Sequence, residues 1–381
     1  MGIRFVIARV SLALACAGVV LGLGTRHVFW SDYFLEAWPA YVGLRHAGLD
    51  ELLRLTPAYA GFVSLIGAPL SLLGAGMDAT FRLQALPGLL LLCGFAVSLS
   101  ARERSHALLA IALAAGSPVA FLALDSGHAE DVLAAAGAAG GVLAAVRGRA
   151  TTAGVLLAVA VVAKQTAVLA LLPAALALPR PKLRALAIPV AAAAIVYGGL
   201  HVARPAGAET GLAAGSFFHP WQVWWPFGVP SDPAWQAAGH GAITSPAWLA
   251  PIPHPLIVAL AVPLSALWWW RTGAGRPRED ALALFALLAL ERCLLDPWNL
   301  GYYHLPLVLA LLAWETERRR LPTITLAVTA AIWLTFKTFE MRTGLTPMLM
   351  YLAWTLPLAA MLARTLYARP ASQRSLAPAF A

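Results

Sequence analysis

Charge is what this sequence has least of. Asp, Glu, Lys and Arg make up 12% of its 381 residues, about half of the roughly 25% found in soluble domains. A soluble chain of this length folds as two or three domains, each with a polar surface to cover. Its 27 basic and 18 acidic residues cannot cover such surfaces. Cysteine is scarce too. Cys16, Cys93 and Cys293 are odd in number, lie in or beside apolar stretches and form no CxxC or Cys/His spacing. They read as small buried hydrophobes, which excludes a disulfide scaffold and a zinc site. Also absent are GxxxxGK[ST], a GxGxxG after a strand, HExxH and GxSxG, so cytosolic nucleotide-driven chemistry has no visible site. With 60% of residues hydrophobic and a mean hydropathy of +0.74, what remains is a polytopic membrane protein.

A spanning helix needs about 20 mostly apolar residues. Twelve segments qualify or nearly so: 5–24, 83–100, 107–123, 131–146, 150–163, 166–178, 185–203, 255–270, 280–295, 304–314, 322–337 and 347–363. The first reads as a retained anchor rather than a signal peptide. A thirteenth stretch, 57–75, carries two prolines and three glycines and reads as a non-spanning element. The expected organisation is one transmembrane domain over 1–363, with outside loops at 25–82, 124–130 and 204–254, and a basic cytoplasmic tail at 364–381.

The net charge of +9 would raise nucleic-acid binding in a soluble chain. Here the basic residues fall between apolar runs, and the positive-inside rule accounts for them without a nucleic-acid partner. With the N-terminus inside, 18 of the 27 basic residues lie inside, among them Arg147, Arg149, Arg278 and Arg318 to Arg320. If 57–75 spans and the N-terminus is instead outside, the bias is almost the same, so charge does not decide on which face residues 25–56 sit. Both arrangements put 124–130, 204–254, 296–303 and 338–346 outside. Residues 41–55 have the spacing of a helix lying in the interface plane. The loop 204–254 holds five of the fourteen tryptophans, with His219, His240 and His254, and reads as interfacial. Trp268, Trp269 and Trp270 read as a belt anchor on the inner side.

Ionisable groups beside membrane segments are costly and invite a functional question. Asp32, in the run FWSDYFLEAW, can act as a general base for a hydroxyl; a capping aspartate is the bland alternative. Residues 125–131, DSGHAED, offer Asp125, His128, Glu130 and Asp131. These can bind a divalent cation, with Glu130 and Asp131 the ligands if there is one, or orient a phosphate or a sugar hydroxyl. They equally suit a helix N-terminus. Lys164 and Gln165 interrupt an apolar stretch, and a lysine there suits a phosphate or snorkels. Residues 291–304, ERCLLDPWNLGYYH, gather Glu291, Arg292, Asp296, Trp298, Asn299, Tyr302, Tyr303 and His304. Their aromatics can stack on sugar rings, and Asn and His can hydrogen-bond hydroxyls; an aromatic belt with an Asp-Pro turn is the alternative.

The order of these parts resembles the integral-membrane GT-C glycosyltransferases. A first helix, an outside aspartate in an aromatic setting, a proline-bounded interfacial stretch, a helical hairpin and a second acidic loop follow one another. The run from Gly127 to Pro173 is similar to glycosyltransferase family 87, the polyprenyl-phosphate-mannose-dependent mannosyltransferases, in its G-[QH] loop, R-G-R turn, A-G-V-L-L helix and following lysine. His128 and Glu130 stand where many members have Gln and Asn. The resemblance implies an all-α, GT-C-like fold of about 12 spans with interfacial helices in the first outside loop. It implies transfer of a sugar, mannose by this family, from a polyprenyl-phosphate donor to a lipid or glycan acceptor at the outer face of a bacterial plasma membrane. Asp32 would be the base, His128, Glu130 and Asp131 would serve donor phosphate or acceptor, and Lys164 would contact the donor phosphate. Two rivals need no base at Asp32: a transporter or flippase of a lipid-linked precursor, and a non-catalytic membrane subunit.

Overall fold

A computed structural model describes residues 3–56, 61–102, 105–178, 182–203, 218–233, 236, 242–272, 277–338 and 344–368. The expectations for 204–217, His240 and the tail beyond 368 fall outside these residues. The described chain is helical apart from short connections and a two-residue antiparallel ladder, Val229–Pro230 with Ile243–Thr244.

The helices are α1 (Ile3–Gly24), α2 (Trp38–Ala47), α3 (Leu49–Leu55), α4 (Gly61–Leu72), α5 (Met77–Arg102), α6 (Ala107–Ala114), α7 (Pro118–Asp125), α8 (Ala129–Val146), α9 (Ala150–Ala163), α10 (Leu171–Ala177), α11 (Lys182–Ala203), α12 (Pro253–Thr272), α13 (Asp280–Leu295), α14 (Leu305–Glu317), α15 (Thr323–Trp333) and α16 (Thr346–Tyr367). Among the described residues, seven segments can cross a membrane by length and apolar composition: Ile3–Gly24, Met77–Ala101, Ala107–Asp125, Ala129–Val146, Leu186–Ala203, Pro253–Arg271 and Thr346–Tyr367. The other expected spans are shorter helices, such as α9 with 14 residues and α13 with 16, below the roughly 20 that a full crossing takes.

Several boundaries differ from the sequence expectation, each for a local reason. The stretch 107–123 is two helices, because Ser117 caps α7 by accepting from the Ala120 amide and Pro118 sits at its first turn. Residues 41–55 are split into α2 and α3 by Gly48, whose φ of +86° no helix accommodates. The last helix runs on to Tyr367, so the first residues of the expected tail are helical. Trp268 is buried, whereas Trp269 and Trp270 are exposed beside Arg271.

The small-residue helix α8 is almost wholly buried and forms the centre with α13 and α14. Gly137 and Gly141 let α9 come close: a Cβ at Gly137 would meet the Leu156 carbonyl at 2.9 Å, and one at Gly141 would meet Leu157 Cγ at 2.7 Å. By contrast α1, α11 and α12 expose apolar side chains such as Phe5, Ile195 and Val262, the faces a bilayer would cover.

The path of residues 25–76 decides where Asp32 lies. The helices α1 and α5 are antiparallel: Thr25 Oγ1 accepts from Arg82 Nε at 3.1 Å, and Cys93 Sγ lies 3.4 Å from the Ala13 carbonyl. The chain therefore leaves α1 and enters α5 at the same end. Between them α4, with 12 residues, is about 18 Å long, short of a hydrocarbon core of about 30 Å. It is tied back to α2 by Tyr41 Oη donating to the Ser64 carbonyl at 2.8 Å and Arg45 Nε donating to the Ser71 carbonyl at 2.8 Å. Helix α4 thus lies beside α2 at the end where α1 leaves off and α5 begins.

Candidate active site

The site is built where α7 turns into α8. Gly127, at φ +91°, closes α7: its amide reaches the Leu124 carbonyl at 3.0 Å, and the His128 amide reaches the Ala123 carbonyl at 2.8 Å. This is the paired bonding of a glycine helix stop. His128 then flanks the start of α8, and Glu130 and Asp131 fall in its first turn, where the helix dipole favours acids. The loop leaving α1 lies directly over this turn. The Asp32 amide donates to the Ser126 carbonyl at 3.2 Å, and a Cβ on Gly127 would sit 2.6 Å from the Tyr33 amide nitrogen.

Asp32 is thereby placed on His128, with His128 Nε2 3.0 Å from Asp32 Oδ2 and His128 Nδ1 2.7 Å from Glu130 Oε1. The imidazole is thus clasped by a carboxylate at each nitrogen. Burial disfavours its charged form, but the charge of Glu130 and the bonds to Asp32 and Glu130 outweigh this and push its pKa up to about 10. As an imidazolium it donates to both acids. The side chains of His128, Glu130 and Asp131 are buried, while that of Asp32 is 47% exposed. Asp32 is therefore the member of this cluster that an incoming hydroxyl can reach.

Lys164 closes the cluster from below. Its extended backbone ends α9, and its ammonium lies 2.9 Å from Asp131 Oδ2 and 3.5 Å from Glu130 Oε1. Tyr302 stacks on His128 with ring centres 4.8 Å apart. Tyr303 lies under the Arg292 guanidinium, 3.9 Å from its ring centre, and 5.9 Å from the Lys164 ammonium. Arg292 pairs with Asp296 at 3.3 Å, and His254 approaches Asp296 at 3.7 Å.

The structure thus brings together Asp32, His128, Glu130, Asp131, Lys164, Tyr302 and Tyr303. Other candidates lie elsewhere. Gln165 is exposed and shares no described hydrogen bond with the cluster. Asp125 faces away, held by Lys337 at 3.0 Å and His27 at 3.3 Å. Asp296 receives the Trp298 amide at 3.0 Å in a turn, and half-buried Trp298 belongs to that turn. Asn299 Nδ2 donates to the Trp221 carbonyl at 2.7 Å, and His304 Nε2 meets Tyr351 Oη at 2.9 Å. Asn299 and His304 are fully buried, so they hold the connection 296–304 against the 218–225 loop and α16.

Glu36 is the neighbour that motif reasoning passed over. Burial, then the charge of Asp32, raises its pKa to about 7. The signal was its i+4 spacing from Asp32 in one helical turn. Single ligand atoms of His128, Glu130 and Asp131 lie within 4.8 Å of one another, a spacing a metal could use. The same acids already bond an ammonium and an imidazolium. Two positive groups answer the two buried acids, and a divalent cation would have to displace Lys164. The donor set does not fit a resident metal in this arrangement.

Residues 63–180 match the family of alpha-(1->6)-mannopyranosyltransferases, N-terminal domain (MptA/B family). No curated protein and no solved structure gave a significant match. The match supports mannosyl transfer by a membrane glycosyltransferase. It is a mannosyltransferase family, in keeping with the motif order. The matched stretch carries His128, Glu130, Asp131 and Lys164. Asp32 and residues 292–304 lie outside it.

Proposed function

We propose that this chain is a GT-C-type mannosyltransferase that moves mannose from a polyprenyl-phosphate donor to a lipid or glycan hydroxyl at the outer face of a plasma membrane. One observation carries the reading: Asp32, from outside the matched stretch, is seated 3.0 Å from His128 inside it and keeps half of its side chain open to solvent. That is the placement a base needs if the acceptor arrives from the aqueous side.

In the proposed reaction Asp32 takes the acceptor hydroxyl proton as that oxygen attacks the anomeric carbon. The bond from that carbon to the phosphate oxygen breaks, polyprenyl phosphate leaves with the bonding electrons, and the anomeric centre inverts. His128, held by Glu130, fixes the Asp32 carboxylate by donating to one of its oxygens. Lys164 offsets the buried acids and lends positive charge on the side where a phosphate would sit, a point-charge use that suits lysine. Tyr302 and Tyr303, buried against His128 and Arg292, pack the inner wall of the cluster and fix those groups in place. We propose the orientation on charge. The turns remote from Asp32, after α8 and α14, carry Arg147, Arg149 and Arg318 to Arg320, and the positive-inside rule supports a cytoplasmic position for that end.

The test is transfer of labelled mannose from a synthetic polyprenyl-phosphate mannose by the purified protein. Asp32→Asn should lower the rate about a hundredfold to ten-thousandfold while donor binding persists. Wild-type rates in Asp32→Asn, with the wild type active, would remove Asp32 as the base. Donor transport across vesicles without glycosidic bond formation would instead support the flippase.

A further inference from the structure

At the end of the bundle remote from Asp32 the helices do not close. A cavity of about 560 Å³ is bounded by Ser98, Arg147, Arg149, Arg278, Glu279 and Glu317. Four elements meet there: α5, the turn from α8 to α9, the approach to α13 and the end of α14. The turn is built by Gly148, whose φ of +75° lets the Arg149 amide reach back to the Ala144 carbonyl at 2.8 Å. Arg149 therefore stands out from the end of α8 and over the opening.

The arginines fall into two kinds. Arg147 is committed: it holds Glu317 with Nη2 at 2.6 Å and Nε at 3.1 Å, and also reaches Ser98. That pair offsets Glu317. Arg149 and Arg278 are exposed, and their side chains form no hydrogen bond or ion pair among the described residues, so their guanidinium forks face the opening uncommitted. Glu279 offsets one of these charges, which leaves the cavity positive. Guanidinium forks match phosphate oxygens in pairs, and basic pockets between membrane helices suit anionic headgroups.

We propose that this cavity binds a phosphate ester through Arg149 and Arg278, the phosphate being that of an anionic phospholipid in the adjacent leaflet. The proposal is independent of the mannosyl-transfer reading, because none of its residues belongs to the cluster around Asp32. A bound headgroup would bridge the turn after α8 to the start of α13, two of the helices that form the buried centre.

The probe is phosphatidylglycerol added to the detergent-purified full chain, with retention read by native mass spectrometry and phosphatidylcholine as the zwitterionic control. The wild type should retain phosphatidylglycerol in preference to phosphatidylcholine. Arg149→Ala/Arg278→Ala should lower that retention about tenfold, with an unchanged thermal midpoint because both side chains are exposed. Arg149→Lys/Arg278→Lys, which keeps the charges, should retain part of the preference. Inorganic phosphate is the second arm. If it binds the wild type, is lost in the alanine variant and phosphatidylglycerol is not retained, the arginine site stands and its ligand is a soluble phosphate. Equal retention of both lipids by the wild type, or full retention by the alanine variant, overturns the proposal. Should the alanine pair fail to fold, Arg149→Gln alone decides by the same readings.

Discussion

At the scale of single residues, the cluster around Asp32 is a charge balance with one open member. His128 gains its proton from folding, and the sign of its contribution follows. A pKa raised from 6.5 to about 10 gives stability that is fully present below about pH 6.5 and is lost as pH rises through about 10. His128→Gln should therefore lose stability at neutral pH and flatten the alkaline decline. The check is the thermal midpoint of the detergent-purified chain across that window; parallel declines in the two proteins would show that His128 is not the group lost. Lys164 makes a second case. Removing one partner of a buried pair leaves an uncompensated charge and costs about 3–5 kcal/mol. Lys164→Met and Asp131→Asn should each destabilise on that order, and the double variant by much less than their sum. Additive losses would show that the 2.9 Å contact contributes nothing of its own. The residue types of this site were legible in the sequence, because acids, His and Lys beside apolar runs need a reason to be there. Their partners were not. Asp32 and His128 are 96 positions apart, and no local pattern predicts a contact at that separation.

At the scale of elements, the site depends on one glycine stop. Gly127→Ala meets two penalties: a left-handed backbone that costs about 1–3 kcal/mol in a residue with a Cβ, and a Cβ 2.6 Å from the Tyr33 nitrogen. The loop carrying Asp32 must move away from His128. Transfer should fall at least about tenfold through misplacement alone. Gly140→Ala is the control, since its Cβ would meet nothing nearer than Leu156 Cδ1 at 3.4 Å. Equal activity in the two variants would mean that the contact between the loop and the turn does not matter. Helix existence was legible for the same physical reason throughout: apolar runs in a chain this poor in charge have few other forms. Interruptions were harder to read. Gly48 and the Ser117-Pro118 pair break runs that looked continuous, and only the backbone shows where a glycine takes positive φ or a serine caps. The partners of Asn299 and His304 were not legible either: their side chains meet backbone carbonyls and a tyrosine hydroxyl in the interior.

At the scale of the whole molecule, the question that charge counting left open was which face residues 25–56 occupy. Antiparallel α1 and α5 bear on it: Arg82 donates to Thr25, so the chain leaves α1 and enters α5 at the same end. Asp32, His128 and the connection 296–304 then share one face, and the arginine-rich turns share the other. This arrangement can be read in living cells. Cys16, Cys93 and Cys293 are replaced first, and single cysteines are then placed at exposed sites at the two ends. Trp30 is 89% exposed in the Asp32 loop, and His254 lies near Asp296 at the same end. Arg320 is exposed beyond the end of α14. With a membrane-impermeant thiol reagent, Trp30→Cys and His254→Cys should label on intact cells, and Arg320→Cys only after permeabilisation. The reverse pattern would keep the fold and turn the site to the cytoplasm, where a donor on the outer face could not reach Asp32. Labelling of Trp30→Cys and Arg320→Cys together would contradict the end-to-end separation itself, because Asp32 sits on His128 at the start of α8, a helix long enough to span, whereas Glu317, three residues before Arg320, pairs with Arg147 at the far end of α8.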